Sequence, residues 1–215
     1  MTDHSSTRFF LQARFHPCVR DLPKGCIVKS GDLKISRKLD GLIAIALALA
    51  AVLPRLPYLS LIPVFEDDVV ETIFALDIRL GGFMPLAGHN SYAGLFFAYL
   101  LAACMWLVGP SPILPRIVIL VIGSLTVGAT YCLARASGLG RGWAALAGLL
   151  LLANPQHILI HSHYATTSYI IPFLAVLFLA ALTRAVRRES GPWLVAAGAL
   201  FGLALANPVF MLVAP

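Results

Sequence analysis

Apolar residues in this chain gather into runs separated by short polar stretches, and the runs approach the roughly 20 residues that carry a helix across a bilayer's hydrocarbon core. They cover Gly41 to Leu53, Tyr92 to Val108, Ile117 to Leu133, Ala144 to Ile160, Ile170 to Leu182 and Trp193 onward. In lipid every backbone N–H and C=O needs an internal partner, and these runs are too long and too rich in Leu and Ala for barrel strands. The expected fold is therefore all-α: a polytopic transmembrane helical bundle, residues 39–215, preceded by a basic cytoplasmic segment, residues 1–38. Composition agrees. Hydrophobic residues make up 59% and charged residues 12%, against about 25% charged in a soluble domain.

The loop between the first two runs breaks this pattern. Residues 57–89 hold Glu66, Asp67, Asp68, Glu71 and Asp77, half of the chain's 10 acids. Within it Val69, Ile73, Leu76 and Leu80 share one helical stripe, with Asp67 and Glu71 on the opposite face. Such a helix is expected to lie along the membrane surface.

The net charge of +6 sits at the ends of apolar runs and not in one interleaved patch, so it reads as a topology signal with no nucleic-acid partner. The N-terminal basic residues keep that end cytoplasmic. The first run follows a long polar segment and reads as a retained anchor, not a cleaved signal; Arg55 beyond it is expected to snorkel to the interface. Tyr92 to Val108 leaves two topologies open. If it spans, Arg184, Arg187 and Arg188 fall outside, against the positive-inside rule. If it lies at the outer interface or re-enters, all the basic clusters become cytoplasmic, and the acidic loop, His89 and the His161/His163 stretch share one external face. The second topology is preferred, in the cell (inner) membrane. The last run stops at Pro215 without a polar tail, so the chain reads as the N-terminal portion of a larger bundle.

Three constellations could carry chemistry. Glu66, Asp67 and Asp68 repel one another unless a cation, a metal or a proton relieves them, which suits a general base; the bland alternative is a helix cap with solvated neighbours. His89, Asn90, Ser91 and Tyr92 could bind phosphate or sugar hydroxyls, or simply start an interfacial helix. His157, His161 and His163 are dense enough for a metal, and His157 and His161 are spaced i, i+4, but no glutamate of an HExxH motif accompanies them. Hydrogen-bonding histidines are the preferred reading, with no cofactor required and a divalent cation compatible. Arg79, Arg116, His161 and His163 are candidate cations for a phosphate leaving group. Cys18, Cys26, Cys104 and Cys132 show no disulfide spacing.

From Gly41 onward the order of motifs resembles the GT-C class of polyprenyl-phosphate-sugar-dependent glycosyltransferases, in particular the dolichyl-phosphate-mannose protein mannosyltransferase-like and aminoarabinose transferase-like group. The matching stretches are VFEDDVVET, with Asp67-Asp68 as the acidic pair of the first external loop, then HNSYAGLFFAYLLA, PRIVILVIGSLTVGATYCLAR and ANPQHILIHSH. The resemblance implies a lipid-phosphate-linked sugar donor, an acceptor hydroxyl and an active site on the external face. It implies Asp67 and Asp68 as catalytic acids, Asp67 being the base, with Glu66, Arg79, His89, Tyr92, His161 and His163 around the substrates. Many relatives carry a further acid after the segment matched by HSH; here Ser168 stands in that place. The competing reading is a transporter or lipid flippase, but transporters place ionisable groups near mid-span, whereas the polar residues there are Ser124, Thr126 and Thr130.

Overall fold

The computed structural model describes residues 30–61, 63, 66–82, 95–163 and 167–205, with only the backbone described for 30–37, 67, 163 and 167. The described residues are helical, without strands. In order they form α1 (Ser30–Val52), a 3-10 turn (Leu53–Arg55), α2 (Tyr58–Leu61), α3 (Glu66–Arg79), α4 (Phe96–Val108), α5 (Leu114–Ala136), α6 (Arg141–Leu152), α7 (Pro155–His163), a second 3-10 turn (Thr167–Ile170), α8 (Ile171–Arg188) and α9 (Gly191–Leu205). Residues 37–215 form one compact unit.

Among the described residues three stretches are long and apolar enough to cross a membrane: Lys38–Leu61, Leu114–Ala136 and Ser168–Arg188. A fourth exists if α6 and α7, bent by 59° at their junction, count as one broken span. The break has a local cause. Pro155 supplies no N–H to continue α6, and the Asn154 side chain accepts a hydrogen bond from the His157 backbone N–H at 3.2 Å, capping a new helix. The apolar run read as a single segment from Ala144 to Ile160 is thus two helices.

α5 is the axis of the packing. Its first half contributes Leu114, Ile119 and Ile122 to a core shared with Ala75 of α3, Phe97, Leu101 and Met105 of α4, and Leu174 of α8. Its second half contributes Val127 and Tyr131 to a separate core with Leu47 and Ala51 of α1 and Ala144 of α6. Gly128 allows the α1 contact, because a Cβ there would stand 2.7 Å from the Ala44 carbonyl oxygen. α4 meets only the first half of α5 and pairs with α3. At 13 residues it is about 20 Å long, short of the ~30 Å hydrocarbon core. That length and position agree with the interfacial or re-entrant reading of Tyr92 to Val108.

α3 forms where the acidic loop was expected to be helical. Val69 and Ile73 of its apolar stripe are 46% and 54% exposed, whereas Asp68 and Glu71 are 3% and 7% exposed. Asp68 and Glu71 face the bundle while Val69 and Ile73 face out; Ala75 is buried and Asp77 is exposed. In water this arrangement would cost stability; beside lipid it matches each face to its surroundings. Arg55 is a correction: it does not snorkel but is fully buried.

Candidate functional site

The end of α1, α2, the start of α3, the start of α5 and α7 meet at one end of the bundle. Arg116, in the first turn of α5, is 5% exposed and reaches back into the first loop. It donates to the Leu59 carbonyl at 3.0 Å and to the Pro63 carbonyl at 2.7 Å, and its Nη2 lies 3.4 Å from Asp68 Oδ2. One cation therefore holds α2, the link at Pro63 and α3 together. Pro115 before it suits a helix start, where no backbone N–H is required. Within α3, Thr72 Oγ1 donates to the Asp68 carbonyl one turn back at 2.6 Å.

A second buried cation, Arg55, follows α1. Arg55 Nη1 donates to the Ala51 carbonyl, and Nη2 lies 2.6 Å from His157 Nδ1. Arginine only donates, so His157 Nδ1 is the acceptor and the imidazole proton sits on Nε2. That Nε2 and Arg55 Nε are buried without hydrogen-bond partners among the described residues. Both described partners of Arg55 are neutral. His161 stacks on His157 with ring centroids 4.2 Å apart. Its Nδ1 faces the His157 carbonyl and its Nε2 the Tyr169 carbonyl, both at 3.1 Å. The second contact ties α7 to the turn that begins α8. His161 also breaks the helical path of α7, with φ −87° and ψ 21°, and it lies against Gly123 of α5, where an added Cβ would overlap its ring.

The sequence-derived candidates separate on this geometry. Asp68 and His161 are brought to this end and buried. Glu66 is at the exposed start of α3. Arg79 is in the last turn of α3, about 16 Å along the helix from Asp68, and so does not join the cluster. The Asp67 and His163 side chains, and His89 and Tyr92 altogether, lie outside the described residues. Among the described residues no group of three or more His, Cys, Asp or Glu is arranged to hold a metal ion.

No family model, curated protein or solved structure matches this chain.

Two participants were missed or undervalued in the sequence. Arg55 looked like an interfacial anchor because it follows an apolar run; its place between Pro54 and Pro57, where the helix must break, was the available signal. Arg116 looked like a helix-end anchor, and it is one, but through carbonyls and a carboxylate more than forty positions away in the chain. An ionisable residue inside an apolar run is a functional candidate by default.

Proposed function

We propose that this chain is a membrane glycosyltransferase that moves a sugar from a polyprenyl-phosphate donor to an acceptor hydroxyl, at the membrane face where α2, α3, α7 and the start of α5 meet. The observation that carries the reading is two buried cations at the loop end of the bundle, Arg116 paired with Asp68 at the start of α3 and Arg55 bonded to His157 of α7. In the reaction the acceptor oxygen bonds to the anomeric carbon and the bond to the donor phosphate breaks. The phosphate leaves with the bonding electrons, and the hydroxyl proton passes to a carboxylate. Fixed cations in a dry site are the efficient way to meet that developing charge. Asp67 is the base in this reading; Asp68, committed to Arg116, positions α3.

The lipid half of the donor also has a place to lie. An apolar cavity of about 350 Å³ runs between α4 and α5, lined by Leu100, Cys104, Leu107, Leu114, Val118 and Ile122. Leu114 and Ile117, on either side of Arg116 in sequence, line it, so an isoprenoid chain there would lie beside the start of α5.

The test is sugar transfer by membranes containing the full chain, offered a panel of radiolabelled polyprenyl-phosphate sugars. Transfer that is lost in Asp67→Asn and retained at reduced rate in Asp68→Asn supports the assignment. Normal transfer by Asp67→Asn would remove the base. A transporter or flippase reading rests on the buried Arg55, His157 and His161 within candidate spans; it takes over if no donor is turned over while lipid movement across the bilayer depends on Arg55.

A further inference from the structure

The opposite end of the bundle carries a second polar assembly that sugar transfer does not use. Arg116 and Arg135 are 19 residues apart on the single helix α5, Leu114–Ala136, which separates the two ends by about 28 Å. That is close to the thickness of a bilayer's hydrocarbon core.

At this end a cavity of about 540 Å³ opens among the middle of α1, the end of α5, the end of α8 and the start of α9. Asp40, Arg135, Arg184, Arg187, Arg188 and Trp193 line it. Four guanidiniums face one carboxylate, and that carboxylate is already committed. Asp40 accepts from Arg135 at 3.2 Å, from Arg141 at 2.8 Å and from the Tyr131 hydroxyl at 2.9 Å. The three arginines of α8 therefore stand as surplus positive charge. Arg184 is held over the Trp193 ring at 5.4 Å, and Arg187 donates to the Ser137 carbonyl at 2.7 Å, so two of them are pre-positioned at the rim. Arg188 is exposed.

We propose that this cavity binds a phosphate group, supplied by the headgroup of an anionic phospholipid. The guanidinium fork matches phosphate oxygens in pairs. The volume lies in the range of small-ligand sites. The location selects the lipid as the source: the cavity sits where all three candidate spans end, at Lys38, Ala136 and Arg188. That is headgroup depth, with a tryptophan at the boundary as membrane interfaces favour. Basic pockets between helices at the cytoplasmic surface are suited to acidic headgroups. This inference is independent of the transferase reading and survives its failure.

Trp193 is the built-in reporter. In the full chain with Trp106→Phe and Trp143→Phe it is the remaining one of 3 tryptophans. Its emission is followed in neutral phosphatidylcholine micelles as phosphatidylglycerol, more phosphatidylcholine, or inorganic phosphate is added. The expected result is a saturable change with phosphatidylglycerol alone. The midpoint should weaken about fivefold in Arg188→Gln and again in Arg184→Gln, and by less in Arg188→Lys, which keeps the charge but not the fork. Arg188→Gln is the decisive variant because the exposed side chain can be changed without disturbing the core; its emission before lipid is added checks the fold. Saturation by inorganic phosphate without a response to phosphatidylglycerol would exclude the lipid and make the site one for a soluble phosphate. No saturable response to either, or equal midpoints in the parent and both Gln variants, would overturn the proposal.

Discussion

Arg116→Met tests the central claim about how the first loop is held. The substitution keeps most of the aliphatic volume and removes the cation. It leaves the Asp68 carboxylate, 3% exposed, facing a thioether, and it strips the hydrogen bonds from the Leu59 and Pro63 carbonyls. Removing one member of a buried pair typically costs ~3–5 kcal/mol. The pair here is formed through one nitrogen at 3.4 Å, longer than a close charge-assisted hydrogen bond of about 2.8 Å. The carboxylate term therefore falls at the lower end, and the two carbonyls raise the total again. A loss of about 4 kcal/mol, or roughly a thousandfold in the unfolding equilibrium, is expected. Asp68→Asn preserves the shape and an acceptor oxygen and should cost about 1 kcal/mol. Joining Asp68→Leu to Arg116→Met should cost about 1–2 kcal/mol less than the two single changes added, because neither partner is then left buried alone. The assay is a double-mutant cycle of SDS-driven unfolding in mixed micelles, followed by helical circular dichroism. Strict additivity, or an Arg116→Met protein as stable as its parent, would refute the account of Arg116 as the clamp of the loop.

Gly123→Val should destabilise by about 1–3 kcal/mol in the same assay, since the new side chain overlaps His161; an unchanged midpoint would mean that α5 and α7 do not approach as described. Tyr131→Phe deletes the hydroxyl that donates to Asp40 at 2.9 Å and should cost about 1 kcal/mol, an effect that should vanish in an Asp40→Ala background. In a chain whose 4 cysteines are replaced, Glu66→Cys and Glu189→Cys lie at opposite ends of the bundle, both exposed. An impermeant maleimide should label the first on intact cells and the second only after the membrane is opened; labelling of both from one side would contradict the spanning arrangement.

The sequence by itself determined the helical class and the rough positions of the helices. Apolar runs of these lengths leave the backbone only one way to satisfy its hydrogen bonds in lipid, and no distant contact is needed to see it. It also determined that the acidic loop contains a helix, because the three-to-four spacing of Val69, Ile73 and Leu76 is a local property. The sidedness of that helix was decided elsewhere. The stripe alone suits a helix lying along the membrane surface; the burial of Asp68 depends on Arg116, forty-eight positions away. The fate of Arg55 shows the same limit. Its neighbours in sequence describe a helix end, but its burial comes from His157, 102 positions away. The break at Asn154 and Pro155 had a local signal, proline and a capping side chain within one turn, that the reading of Ala144 to Ile160 as one segment passed over, and the stacking of His157 on His161 against Gly123 required α5 to arrive beside it. Likewise the basic residues of α5, α6 and α8 were readable as topology signals one by one. Only packing brought Arg135 and Arg141 onto a shared Asp40 and left the α8 arginines around one cavity, because charges on separate helices combine only when the helices meet.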